Sequence, residues 1–200
     1  MTEPFIYPPV AHVRRHGPIG YADYAGYHPW LRDEFSFRCV YCLLREQWGR
    51  VRGIFGVDHF VPVAIDATAA LDYENLLYAC AACNTVKGKR RLPSPLTALT
   101  AGNVYVSEDG VLHARSAEAS RLIERLGLNS DQSVEFRFLW IGIIALTAKR
   151  DPELYRRLMG FPADLPDLSK LKPPRRNSRP EGVAASFHAQ RERGELPHSY

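Results

Sequence analysis

Four cysteines form two pairs with the same spacing. Cys39 and Cys42 make one Cys-x-x-Cys motif, Cys80 and Cys83 make the other, and the chain has no further cysteine. Two residues between thiolates let one tight turn present both sulfurs to a single ion, and two such turns complete a tetrahedral site. We therefore predict a structural zinc site with no open coordination position. Two disulfides or buried free thiols are the alternatives.

Residues suited to phosphodiester hydrolysis lie between and just after the two cysteine pairs. Asp58 is a hard oxygen ligand of the kind that Mg²⁺ or Mn²⁺ prefers, and Asn84 offers a second, neutral oxygen. His59 carries an imidazole, which can take a proton from water near neutral pH. Neighbouring strand residues point to opposite faces, so Asp58 and His59 need not compete for one position. Taken singly, His59 could be a structural or surface histidine, and Asn84 a helix cap.

The order of these elements resembles the zinc-containing branch of the HNH endonuclease family. They read Cys-x-x-Cys, Asp-His-x-x-Pro, Asn-Leu and Cys-x-x-Cys-Asn-x-x-Lys over about residues 35–91. Each element alone is a weak signal, but this order and nesting are rare by chance. The resemblance implies a metal-dependent endonuclease in which Asp58 and Asn84 hold a catalytic divalent ion. It also implies that His59 is the general base and that Asn75 braces the loop bearing it.

One residue departs from the commonest pattern of the family. Many members carry a histidine where Asn84 stands. An amide oxygen in place of an imidazole shifts the expected metal preference toward hard ions such as Mg²⁺.

The local pattern independently fits a ββα module. The β-branched and aromatic stretch 53–57 predicts a first strand, and residues 75–78 predict a second. An alanine-rich segment that begins at Ala81 predicts a short helix, weakened by Gly88. Residues 64–73 bridge the strands as a loop or an extra turn. A side chain near the end of the first strand would then face one on the helix, as a single metal ion requires.

The flanking regions predict an α+β chain built around this core. We expect an N-terminal extension over residues 1–34, the nuclease module over 35–91, a hairpin and helices over 92–170, and a disordered basic tail over 171–200. Aromatic residues that precede the first cysteine pair are expected to fill the core rather than to stack on bases. They are Tyr21, Tyr24, Tyr27, Trp30, Phe35 and Phe37.

The accessory region divides into a hairpin and three helices. Residues 104–106 and 111–113 flank an Asp-Gly turn, which is typical of a hairpin. Helices are predicted over 117–126, 133–149 and 152–159, with Asn129 or Ser130 as the cap of the second. That second helix carries a broad apolar stripe that we expect to be buried. The stripe comprises Phe136, Leu139, Trp140, Ile143, Ile144 and Leu146.

Charge and composition indicate a water-soluble protein with basic clusters. Hydrophobic residues make up 46% and charged residues 24% of the chain, and the net charge is +4. One cluster is expected to contact phosphates of nucleic acid, with a solvated surface as the alternative; it comprises Lys87, Lys89, Arg90 and Arg91. A second cluster comprises Arg175, Arg176 and Arg179.

Targeting signals are not expected. The N-terminus lacks a continuous apolar core, and the longest apolar run, 138–146, is too short to span a bilayer. We therefore predict a cytoplasmic protein, in a reducing compartment that disfavours disulfides.

The sequence thus predicts an endonuclease that cleaves double-stranded DNA and, as the resemblance implies, leaves 5′-phosphate and 3′-hydroxyl ends. A protein partner or a second copy of the chain fits this role, as does membership of a larger defence complex. Two other classes remain open: a non-catalytic, zinc-stabilised module that binds nucleic acid, and an interaction adaptor that uses the helices of residues 117–159.

Overall fold

Short strands and helices are interspersed along the computed structural model, which describes residues 4–49 and 54–200. The strands are β1 (Pro18–Ile19), β2 (Phe55–His59), β3 (Leu76–Cys80), β4 (Val104–Val106), β5 (Leu112–Ala114) and β6 (Arg176–Asn177). The helices are α1 (His28–Glu34), α2 (Ala81–Lys87), α3 (Pro95–Ala98), α4 (Ala117–Arg125), α5 (Asp131–Arg150), α6 (Pro152–Met159), α7 (Glu181–Ala184) and α8 (Phe187–Glu192). In these two ranges the strands pair as three antiparallel couples, β1–β6, β2–β3 and β4–β5.

The ββα core consists of β2, β3 and α2. Phe55 lies opposite Cys80 and His59 lies opposite Leu76 in the β2–β3 pair. Strand β3 runs directly into α2, and Gly88, with φ of +53°, ends that helix. The predicted α+β core is confirmed, although β2 lies two residues later than predicted and Gly53 falls outside the described residues. His59 therefore ends its strand at the same edge of the hairpin where β3 begins.

The N-terminal aromatic residues pack against this core. Trp30 is fully buried on α1, which contacts β3, and Tyr27, Phe35 and Phe37 are also buried. The expectation that the aromatic segment fills the core is confirmed for these four. Tyr24 differs, because half of it remains exposed.

The accessory region has the predicted hairpin and three helices. Ser116 caps α4 and Ser130 caps α5, each by accepting a hydrogen bond from an amide in the first helical turn. Gly110, in the turn between β4 and β5, has φ of +84°, and a Cβ there would lie 2.7 Å from the amide nitrogen of Phe138. Only glycine therefore lets the hairpin approach α5 so closely.

The predicted burial of the apolar stripe on α5 is wrong for three of its six residues. Ile144 is fully buried and Trp140 stacks on Trp48, but Leu139, Ile143 and Leu146 are 53%, 42% and 60% exposed. The helix carries apolar side chains on more than one face, and only one face reaches the core. Within the described ranges, no helix is long and apolar enough to cross a membrane.

The predicted disorder of residues 171–200 is also wrong. Strand β6 pairs with β1, and the Phe187 amide donates to Asp33 Oδ2 at 2.8 Å. The Tyr200 ring lies against the Arg45 guanidinium and its hydroxyl bonds to Gln47. Composition indicated disorder because the segment is polar, but a few aromatic side chains and pairing with the N-terminal segment hold it in place.

Candidate active site

The four cysteines converge on one point. Their sulfurs all lie within 4.8 Å of one another, and the sulfurs of Cys42 and Cys80 are 3.7 Å apart. Cys39 and Cys42 lie on a turn in which Leu43 has φ of +59°, whereas Cys80 ends β3 and Cys83 lies in the first turn of α2. A strand-to-helix junction therefore supplies the second pair of sulfurs.

This sulfur cluster fits a zinc ion. Zinc–sulfur bonds of about 2.3 Å in a tetrahedron place the sulfurs roughly 3.8 Å apart. Hydrogen bonds from the neighbouring thiols lower the pKa of Cys80, whereas the pKa values of Cys42 and Cys83 are raised, as expected for thiols that share protons in one cluster. The four cysteines are positioned to bind one metal ion, and they form no disulfide.

His59 is held by a backbone carbonyl of the loop that follows its strand. Its Nε2 lies 3.0 Å from the carbonyl oxygen of Ala70. Because that oxygen can only accept, Nε2 carries the proton and Nδ1 keeps a free electron pair in the neutral ring. The ring is half-buried, and the edge of Tyr24 packs against it at 5.2 Å between centroids.

The side chain of Asn75 ties this loop together. Its Oδ1 accepts from the Val61 amide at 2.7 Å, and its Nδ2 donates to the carbonyls of Val61 and Ala69 at 3.0 and 3.1 Å. Ala69 is the neighbour of Ala70, whose carbonyl holds His59. Asn75 therefore holds the peptide next to the one that orients the imidazole.

Asp58 points away from His59 into the interior. Its two carboxylate oxygens bond to Lys87 Nζ at 2.8 Å and to the Tyr41 hydroxyl at 2.6 Å, and only 3% of the residue is exposed. Burial raises the pKa of Asp58, although the Lys87 ammonium partly offsets this effect. Tyr41 belongs to the first cysteine turn, so one hydrogen bond joins the sulfur cluster to β2.

Asn84 faces the same strand from α2. Its Nδ2 lies 3.5 Å from the carbonyl oxygen of Val57. Cys80, not Asn84, is the N-cap of α2, so the helix-capping interpretation of Asn84 is wrong. Asn84 and Lys87 are three residues apart, and both therefore reach β2 from one face of the helix.

The phosphate contact predicted for Lys87 is wrong in this arrangement. Lys87 is 1% exposed, and its ammonium donates to Asp58 and to the His59 carbonyl, the latter at 2.6 Å. Lys89, Arg90 and Arg91 are exposed, and the Arg90 guanidinium bonds to the Val86 and Lys87 carbonyls at the end of α2. The position of a residue along a helix does not show whether its side chain faces the core or the solvent until the element that packs against the helix is known.

Asp58 and Asn84 are chemically suited to bind a catalytic metal ion, but the carboxylate of Asp58 already has two hydrogen-bond partners. Carboxylate and amide oxygens are the ligands that Mg²⁺ prefers. The Asp58 carboxylate is buried and already bonds to two donors, so a cation there would have to share it with Lys87 or displace the ammonium. The Asn84 amide is half-buried and makes one long hydrogen bond.

Sequence reasoning missed a second polar cluster in the N-terminal segment. His16 pairs with Asp33 at 2.8 Å with both side chains fully buried, and His12 pairs with Glu34 at 2.8 Å. The Tyr73 hydroxyl also donates to Glu34 at 3.0 Å. No spacing motif links these residues, which lie 17 to 39 positions apart.

Two antiparallel strands, a following helix and a four-sulfur cluster that staples them define a zinc-type ββα-metal domain. Residues 39–90, the HNH domain, match the family model described as HNH endonuclease. Members of this family are in general nucleases that act on nucleic acids and use divalent metals. No curated protein and no solved structure matches the chain significantly.

Proposed function

We propose that the protein is a metal-dependent endonuclease that hydrolyses DNA phosphodiester bonds, with His59 as the general base. One observation carries the proposal. The Ala70 carbonyl holds the Nε2 proton of His59, so that Nδ1 is the proton acceptor of a half-buried ring. A histidine with only a structural role would not need a free Nδ1, nor a loop that Asn75 holds in place beside it.

In this proposal the His59 Nδ1 takes a proton from water as the water oxygen attacks the phosphorus. The bond from phosphorus to the 3′-oxygen breaks, the 3′-oxygen takes a proton from solvent water, and His59 then returns its proton to solvent. The products carry a 5′-phosphate and a 3′-hydroxyl. A bound divalent cation, Mg²⁺ or Mn²⁺, supplies Lewis-acid stabilisation of the developing charge. Asp58 and Asn84 are the residues that would hold it. The carboxylate of Asp58 keeps lone pairs beyond those used by Lys87 and Tyr41.

Double-stranded DNA is the proposed substrate, bound mainly through its phosphates. Exposed Lys89 and Arg91 lie just beyond α2, the helix that bears Asn84. Cations at these positions would neutralise phosphates without reading sequence. The exposed half of Tyr24, beside His59, offers a ring on which a base or a sugar can pack.

Replacement of His59 by alanine tests the assignment. Loss of a general base typically lowers the rate by about 10²- to 10⁴-fold, while zinc content and DNA affinity should stay near those of the wild type. The measurement is nicking of supercoiled plasmid with Mg²⁺, with an EDTA arm as the metal control. His198→Ala, which changes an exposed histidine outside the domain, is the matched control. Equal cleavage by His59→Ala and wild type would refute the proposal.

A second candidate is a zinc-stabilised module that binds DNA without cutting it. The buried pair of Asp58 and Lys87 favours it, because the ammonium occupies the carboxylate on which metal capture depends. Calorimetric titration with Mn²⁺ separates the two functions. Binding that Asp58→Asn abolishes supports the nuclease, and no binding by the wild type supports the module.

A further inference from the structure

Helix α5 leaves an apolar stripe in water. Phe138, Leu139, Ile143 and Leu146 are 55%, 53%, 42% and 60% exposed, and Gly142 lies among them with no heavy atom within 4 Å of where its Cβ would be. Together the four side chains form an exposed apolar patch on the order of a few hundred Å². The largest apolar patch on the surface of a protein is often a binding site.

Two pairs of residues along this face of α5 are placed symmetrically about Gly142. Phe138 and Leu146 lie four residues before and after it, and Glu135 and Lys149 lie seven residues before and after it. Seven residues are two helical turns, so Glu135, Gly142 and Lys149 share one face. Both charged residues are exposed.

We propose that this stripe binds a second copy of the chain, with the two α5 helices antiparallel and crossing at Gly142. A two-fold axis there sets each residue against its mirror position, so Phe138 meets Leu146 of the other copy and Glu135 meets its Lys149. Each pair is made twice. The absence of a side chain at Gly142 lets the two backbones approach closely at the crossing.

The distribution of charge along α5 favours a second copy over an unrelated partner. The acidic end of α5 carries Asp131 and Glu135, and its basic end carries Lys149 and Arg150. Antiparallel pairing places the acidic end of one helix against the basic end of the other, whereas parallel pairing would place like charges together. The stripe itself forms one wall of a groove of about 590 Å³, and Phe5 and Val106 belong to the opposite wall.

The first test measures the mass of the protein in solution and identifies the residues that can be cross-linked between two copies. Sedimentation equilibrium from 1 to 100 µM should show a monomer–dimer equilibrium. A zero-length carbodiimide cross-link should join Glu135 to Lys149, and mass spectrometry would identify the joined peptides. Within one helix these residues lie about 21 Å apart, so such a link must be between molecules. A protein that stays monomeric at 100 µM, and so keeps the stripe for another partner, overturns the proposal.

Charge reversal separates the proposed contact from general effects on folding. Glu135→Lys should raise the dimer Kd by about tenfold, because it sets two like charges together at both ends. Adding Lys149→Glu should restore the Kd to within about threefold of the wild type. Leu146→Ser should abolish the dimer, whereas Val13→Ser, at a site that is 79% exposed outside the stripe, should not change it.

Circular dichroism and zinc content would confirm that each variant folds. A dimer that persists unchanged in both Glu135→Lys and Leu146→Ser contradicts the proposed interface. Because every readout is mass, linkage or folding, the outcome does not depend on nuclease activity.

Discussion

The imidazole of His59 depends on two backbone groups and one amide side chain. The Ala70 carbonyl sets the tautomer, and Asn75 holds the Val61 and Ala69 peptides on either side of the loop. A general base must be held in one orientation, because a small displacement of a reacting group lowers the rate sharply. The fixed carbonyl acceptor provides that orientation.

Replacement of Asn75 by alanine should separate this bracing from simple stability. The change removes three hydrogen bonds, so the free energy of unfolding should fall by about 2 to 4 kcal/mol. We expect kcat to fall by roughly 10- to 100-fold at a temperature where the variant is folded, with little change in KM. Cleavage kinetics and urea unfolding measure the two effects. Asn103→Ala, outside the HNH domain, is the control, and an unchanged kcat in Asn75→Ala would argue against bracing.

The Asp58–Lys87 pair is the other decisive contact at the residue scale. Removing one partner of a buried ion pair leaves an uncompensated charge and costs about 3 to 5 kcal/mol. Lys87→Met should therefore destabilise the protein strongly, and Lys87→Met with Asp58→Asn should cost less than the sum of the single changes. Urea unfolding of the double-mutant cycle measures this coupling. Exposed Lys89→Met is the matched control, and a cost below about 1 kcal/mol for Lys87→Met would mean that its ammonium faces solvent.

At the scale of elements, the sulfur cluster joins parts of the chain that are distant in sequence. It connects the turn of Cys39 and Cys42 to the β3–α2 junction, and Tyr41 extends the connection to β2. Neither β2 nor β3 exceeds five residues, and a two-stranded hairpin of that size is marginally stable alone.

Replacement of Cys80 by serine should therefore separate the first cysteine turn from the β3–α2 junction and destabilise the domain. Structural zinc binding contributes folding free energy on the order of 10 kcal/mol, so we expect loss of bound zinc and of cooperative unfolding in residues 39–90. Elemental analysis and hydrogen exchange would measure the two losses. Ser133→Ala, a change outside the cluster, should retain one zinc ion per chain. A folded, zinc-free wild type would contradict the role of the cluster.

At the scale of the whole molecule, the N-terminal segment joins the HNH domain to the C-terminal residues. Glu34 accepts from His12, the Arg15 amide and Tyr73, which lies before β3. Asp33 accepts from His16 and from the Phe187 amide. Two adjacent carboxylates on α1 thus connect three parts of the chain.

Stability should depend on pH through Glu34. Burial alone would raise the pKa of Glu34, but hydrogen bonds from His12 and the Arg15 amide, with the positive charge of His16 and Arg14, lower it from 4.5 to about 2. A lowered pKa stabilises the folded state above pH 4.5, and this contribution is lost as the pH falls from 4.5 toward 2. Urea unfolding across this window should show a steeper loss for wild type than for Glu34→Gln. Parallel curves would exclude Glu34 as the cause, and exposed Glu118→Gln is the control.

The sequence alone determined the zinc pairs, the order of the HNH motif and the ββα succession, because these depend on local spacing and local propensity. The same locality explains why the hairpin and the ends of α4, α5 and α6 were predicted to within about two residues. Only the tertiary structure decided which way the side chains of α2 and α5 face. Lys87 is buried because Asp58 lies across from it, and Leu146 is exposed because the core reaches only one side of α5. The residues 171–200 are ordered through pairing with the N-terminal segment, a long-range contact that composition cannot encode.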